Sequence, residues 1–393
     1  MKIKFYLFIL LAVSLFSCSE KEESNSCMID IQVIAPEGYD TLPYEKINVV
    51  LTNQNQGITY TMPCSSEGLA AFRVEYGYYT ASAHYQTASG LIFSGRTETL
   101  SLLSEQYEGT AKVQLSRSRS NALIIKEIYY GGCIGRKGEE YQSDQYLILH
   151  NNSEETLYLD SLCVAIVDPA SSLQSPWIKY TDMKRIPIND VTWQFPGTGT
   201  EYPLHPGEEI SIATNAVDHT GGEYQHTNSV DLSKADWAFW DVSLSQQDIT
   251  AGVRPMKMLL NLNTNIWMYP LPAIGPTMIV FKIEGKSAES YVNDISNREN
   301  RPQSSNTKKF YLMIPKEWVI DCVECVASAD RISYKRVPDE LDSGAAYLPD
   351  GPYTGKSLIR KSSLNEDGRI IYQDTNNSSN DMITTVPTLK NKK

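Results

Sequence analysis

Beyond residue 16 the chain has no apolar run approaching the roughly 20 residues that a membrane-crossing helix needs. It has no GxSxG elbow, no HExxH, no P-loop and no dinucleotide-binding glycine fingerprint, so the common sequence-readable catalytic classes are without support. Cations are scarce. Lys and Arg number 35 against 47 Asp and Glu, a formal charge of −12. That sign opposes a protein living on phosphate contacts, so no nucleic-acid partner is expected. A local basic patch would need Lys308, Lys309, Lys356, Arg360 and Lys361 together. With 41% apolar and 21% charged residues, the chain is neither an acidic disordered tail nor a membrane bundle.

What is present points to β-structure. Tyr outnumbers Phe 24 to 9, and 23 Gly and 19 Pro are scattered as turn punctuation. The 393 residues suggest two or three domains. At the start, Lys2 and Lys4 precede an apolar segment from Phe5 to Phe16, which fits a signal peptide over residues 1–17. Leu15-Phe16-Ser17-Cys18 resembles a bacterial lipobox, which implies lipidation of Cys18. Residues 18–26 then read as a flexible tether. Lys21-Glu22-Glu23 resembles the surface-export signal of Bacteroidota lipoproteins, implying an outer-membrane, outward-facing protein. Six further cysteines permit disulfides. By proximity these are Cys27 with Cys64 and Cys133 with Cys163, while Cys322 and Cys325 read as core thiols or a local bridge.

Period-two apolar patterning marks strands across residues 27–117: Ile29, Ile31 and Val33; Ile47, Val49 and Leu51; Ala70, Phe72 and Val74; Tyr79, Ala81 and Ala83. About seven strands in 90 residues suit a β-sandwich. The stretch from Ser66 to Tyr79 is similar to carboxypeptidase-regulatory-like and transthyretin-like domains. From 118 to 393 the order of motifs resembles a lamin-tail domain. These are Ile125-Lys126-Glu127-Ile128, a strand ending in Asn151-Asn152, Leu157 to Leu162, Leu204-His205-Pro206-Gly207-Glu208, and the closing stretch Asp374 to Asp381. The family's Glu in the second strand is replaced, with Tyr146 and Ile148 there instead. The two-part arrangement resembles an uncharacterised Bacteroidota lipoprotein family of unknown function. It implies an all-β fold of two tandem sandwiches with long insertions, Pro169 to Pro203 and Asp218 to Pro276, in the second.

Function is expected in those insertions. Trp177, Tyr180 and Trp193 stand in the first. The second holds a candidate binding loop of Trp237, Phe239, Trp240, Trp267 and Tyr269 for a protein or glycan partner. Ser233 to Trp240 is expected to start a short helix. His219 and His226 flank a Gly-Gly turn and are weak metal candidates. Asp374 and Asp381 offer calcium-type oxygens, although the EF-hand pattern fails and turn chemistry explains them equally. The leading expectation is a non-enzymatic surface lipoprotein acting as a binding or scaffold accessory, with a TonB-dependent receptor among its partners and no required cofactor. The alternatives are an extracellular hydrolase, whose paired carboxylates meet only in three dimensions, and metal or haem uptake through the histidines with Met256 and Met258.

Overall fold

In the computed structural model, the described residues are 25–391 except 37, 40–41, 87–90, 120, 242–247, 264–267 and 365–367. Cys18 and Trp267 lie outside them. Strands dominate, as the all-β reading expects. Among the described residues no helix is long and apolar enough to cross a membrane.

The first unit is a sandwich of two sheets. In one, Ser26–Ile34 lies between Leu69–Glu75, antiparallel, and Ala111–Gln114, parallel. The other orders Thr59–Pro63, Asn48–Asn53, Gly77–Gln86, Leu91–Arg96 and Ser116–Arg119, with Leu100–Leu102 also on Gly77–Gln86. Alternate residues point inward, so Ile29, Ile31, Val33, Val49, Leu51, Ala81 and Val113 form one buried core. Gly95 permits the sheets to meet closely. A Cβ there would stand 2.1 Å from the Gln114 carbonyl oxygen.

The second unit is a larger sandwich. One sheet orders Arg254–Pro255, Trp237–Ala238, Glu209–Ala213, Tyr146–Asn151, Leu123–Tyr129, Ser357–Arg360 and Met382–Thr385. The other orders Arg298–Asn300, Phe310–Pro315, Arg185–Gln194, Leu162–Val167, Thr277–Lys282 and Val319–Glu324, with Lys257–Asn261 on Arg185–Gln194. Leu123–Tyr129, Tyr146–Asn151 and Leu162–Val167 are buried at every position. Continuous burial means that both faces are covered, which is why apolar residues do not alternate with polar ones along these strands, although Lys126, Glu127, His150 and Asn151 are buried among them. Between the sheets lie Ile125, Leu147, Val164, Trp193 and Val280. Outside the second sheet, Cys163, Ile186 and Phe281 pack under Trp177 of the short helix Pro176–Tyr180 and Tyr291 of the helix Ala288–Asn293. Outside the first, Tyr129, Tyr146 and Ala213 pack under Val230, Leu232 and Val253.

The resemblance motifs hold the second sandwich at its corners. Asn151 Nδ2 donates to the carbonyls of Glu155 and Leu204, at 2.7 and 2.8 Å. Asn152 exchanges two hydrogen bonds with the Tyr372 backbone. Glu127 is fully buried, and Oε1 accepts from Tyr146, Ser357 and the Thr388 backbone.

Three expectations are corrected. Pro169 to Pro203 is not a loop insertion, because it contributes the strand Arg185–Gln194 to the middle of a sheet. Ser233 to Trp240 does not form a helix. Asp236 Oδ2 accepts from the Ser211 backbone and hydroxyl, and Trp237–Ala238 runs parallel to Ile212 and Ala213. Tertiary pairing overrides the local cap signal. All six described cysteines are buried free thiols, so the proposed bridges are absent. Cys322, in the strand Val319–Glu324, faces the outer core, and Cys325, just past its end, faces the inter-sheet core.

Candidate functional site

The aromatic side chains proposed as a binding loop are mostly structural. Trp237 and Phe239 are each 1% exposed, and Tyr269 is 3%. Trp237 makes edge contacts with Phe195 and Tyr202, and Phe239 packs against Trp193 and Tyr269. Trp240 is half-buried at the rim of the outer core. Trp177 and Trp193 are fully buried, and Trp177 Nε1 donates to Asp168 at 2.8 Å. Tyr180 alone of the first group is well exposed. Trp237, Phe239 and Tyr269 therefore do not form an exposed binding face.

The histidine pair is engaged by protein. His219 Nδ1 meets the Tyr141 hydroxyl at 2.6 Å, and Nε2 donates to the Asn215 carbonyl at 3.0 Å. Nδ1 must then accept from Tyr141. Burial holds His219 neutral by lowering its pKa. His226 Nδ1 accepts from the Arg136 backbone at 3.0 Å, and its ring packs 4.0 Å from that of Tyr141. Each ring is thus spent on fixing a loop, and no group of three or more His, Cys, Asp or Glu suited to a metal occurs among the described residues.

In the closing stretch a protein cation stands where calcium was considered. Arg360 Nη1 donates to Asp374 and Asp381, each at 3.1 Å, and Nη2 donates to both oxygens of Asp321. All four side chains are almost fully buried. Asp374 Oδ2 also accepts from the Asn121 backbone, and Asp381 from Thr375 and Gln373. The carboxylates therefore close a turn around a guanidinium. Burial raises Asp321 to about 7 and Asp381 to about 6, against the lowering effect of Arg360. Arg360, moreover, is not available to a surface basic patch.

A concavity lies elsewhere, between the two units. It encloses about 220 Å³, many times the roughly 10–15 Å³ that one water requires. One wall is the outward face of the first unit's larger sheet. Because Val49, Leu51, Ala81 and Ala83 point into the core, Val50, Thr52, Thr80 and Ser82 must point out. The opposite wall combines the loop around Ser343 to Tyr347 with Asn377 to Thr384. Asp342 joins these two segments: Oδ1 accepts from the Gly344 and Ser378 backbones at 3.0 and 2.8 Å. Ser343 N donates to the Asn376 carbonyl and Ala345 N to the Ser379 hydroxyl. Gly344 must be glycine, since a Cβ would fall 2.1 Å from Asn377 Oδ1.

The walls are tied directly. Arg96 Nη1 donates to the Ile332 carbonyl at 3.3 Å, and Arg96 Nε lies 3.8 Å from Asp339. Asn380 Nδ2 stands 3.3 Å from His84 Nδ1. Asn377 caps the helix Ser378–Asp381 through Oδ1, which accepts from Asn380 N at 3.1 Å, while Nδ2 is buried with no partner. The sequence reading missed this site. Its only local signal is hydroxyl residues on the outward phase of two strands.

A family model described as a protein of unknown function, DUF4876, matches residues 205–388. The chain also shares its fold with a DUF4876 family protein. That is a crystal structure from Bacteroides thetaiotaomicron VPI-5482, 24% identical, with TM-score 0.63, covering 93% of this chain and 97% of that one. The match extends over both units, and it agrees with the expected all-β sandwich fold. A crystal structure of a suggested adhesin from Bacteroides ovatus ATCC 8483 matches at 9% identity over 70% of this chain and 83% of that one, with TM-score 0.20. At that score nothing about this chain follows from it. No curated protein matches the chain.

Proposed function

We propose that this protein is a non-enzymatic, lipid-anchored binding protein of the outer-membrane surface, and that it takes its ligand in the cleft between its two sandwiches. The supporting observation is the cleft itself. Both units build it, its walls are fixed by hydrogen bonds, and it holds a buried amide donor without a partner. Pockets at unit boundaries with a few convergent polar groups are where small ligands bind. Several buried titratable groups are committed to structure: Glu127 to hydroxyls, His219 and His226 to loop backbone, and the closing aspartates to Arg360. The location rests on Leu15 to Cys18 and the acidic tether behind it. A TonB-dependent receptor is the proposed partner.

The test is purification of the full chain from its own membranes beside Cys18→Ala. The wild type should fractionate with the outer membrane, carry acyl mass at Cys18, be cleaved by protease added to intact cells, and retain a receptor in stoichiometric amount. A soluble wild type with a free Cys18 thiol contradicts the anchor. A lipidated monomer without a receptor contradicts the partnership.

A further inference from the structure

The chemistry of the cleft narrows what it holds. The first sandwich supplies the hydroxyls of Thr52, Thr59, Thr80 and Ser82. The second supplies Ser343 and Ser379 with the amides of Asn377 and Asn380. Small apolar surface lies between them, from Val50, Ala345, Leu358 and Met382. Among the described lining residues only Arg96 is charged, and it is already used by the Ile332 carbonyl and by Asp339. Asn377 is the sharpest feature. Its side chain is 1% exposed, Oδ1 is taken by Asn380 N, and Nδ2 donates to nothing in the protein. A buried donor of this kind is normally satisfied by water or ligand.

We infer that the cleft binds a neutral polyhydroxylated molecule, a sugar unit, with one of its oxygens accepting from Asn377 Nδ2. The inference rests on the binding reading above and gives it a ligand class. Ser and Thr hydroxyls both donate and accept, as sugar hydroxyls do, so a polyol can replace the water hydrogen bonds it displaces. An apolar ligand would strand the hydroxyls of Thr52, Thr59 and Ser82, whereas those of Ser343, Ser379 and Thr80 already have protein partners. An anion would have to take Arg96 from Asp339. A cation meets no carboxylate among the described lining residues. The C–H faces of a sugar ring match the apolar strip.

The experiment uses the full chain in detergent micelles. Calorimetry and saturation-transfer NMR are run with D-glucose, D-galactose and N-acetyl-D-glucosamine, alongside D-glucuronate and glycylglycine. At least one neutral sugar should bind, in preference to the charged probes. Asn377→Leu should weaken it at least tenfold. Because Asn377 also caps a short helix, Ser82→Leu is the second variant. It replaces an outward strand residue, fills the cleft, and should abolish binding with an unchanged melting temperature. If glucuronate or glycylglycine binds instead, and Ser82→Leu abolishes it, the cleft is a binding site and the sugar assignment is wrong. If a neutral sugar binds equally well to both variants, it binds elsewhere and the inference fails. If no probe binds, the sugar assignment is overturned, while the anchor and receptor stand or fall by the preceding test.

Discussion

Asn380 Nδ2 lies 3.3 Å from His84 Nδ1, joining residues 296 positions apart across the two sandwiches. An amide nitrogen only donates, so His84 must be neutral with Nδ1 accepting. Burial lowers the His84 pKa first, and the positive charge of Lys361 adds to this. The sign follows: the unfolded imidazole titrates near 6.5, so the stabilisation is complete above about pH 6.5 and is lost as pH falls below it. Protection factors in Ser343 to Tyr347, taken relative to the intrinsic exchange rate at each pH, should therefore fall between pH 7.5 and pH 5.5, and His84→Leu should remove that dependence. Equal acid sensitivity in wild type and variant contradicts the contact's role.

The Arg360 cluster predicts the opposite slope. Asp381 is held up to about 6 by burial, so the folded state keeps a proton that an unfolded Asp, near 3.9, has released. Its contribution therefore favours folding most below about pH 4 and weakens as pH rises to about 6. Asp381→Asn should flatten this fall in urea unfolding series. Arg360→Met leaves three buried carboxylates without their cation and should cost about 3–5 kcal/mol. A cost below 1 kcal/mol would show that the cluster is hydrated and not closed.

The buried aromatic loop predicts stability effects in place of binding effects. Trp237→Ala and Trp193→Ala should each cost about 3–5 kcal/mol by denaturant midpoint. Trp240→Ala, at the rim, should cost less. Full stability of Trp237→Ala, with loss of partner capture, would restore the loop as an interface.

The thiols give a direct chemical check. Burial raises the pKa of Cys133 to about 12 and that of Cys322 well above its usual range. Reactive thiolates are thereby suppressed. The native chain should resist a thiol reagent, and six thiols besides Cys18 should appear after denaturation. Fewer than six would reveal a bridge that the fold does not contain.

The first sandwich was readable because each of its sheets has one covered face. Ile29, Ile31 and Val33 alternate with polar residues, and their registers follow. The second was harder. In Arg185–Gln194 both faces are covered, so apolar residues do not alternate. Pro187, Asn189 and Asp190 add turn signals inside a strand. Asp190 adopts a positive φ of 58° where the register shifts from one partner strand to another. Trp237 and Phe239 gave no hint of burial, because their partners Phe195 and Trp193 belong to a distant strand and its end. The cleft joins segments about 300 residues apart, and no local pattern announces that.

The most direct measurement is hydrogen exchange of the full chain with and without a saturating neutral sugar. The account predicts protection at Val50 to Thr59, Thr80 to Ser82, Ser343 to Tyr347 and Asn377 to Thr384, with the rest unchanged. Protection confined to residues 218–276, or none at a concentration where binding is saturated, would contradict it.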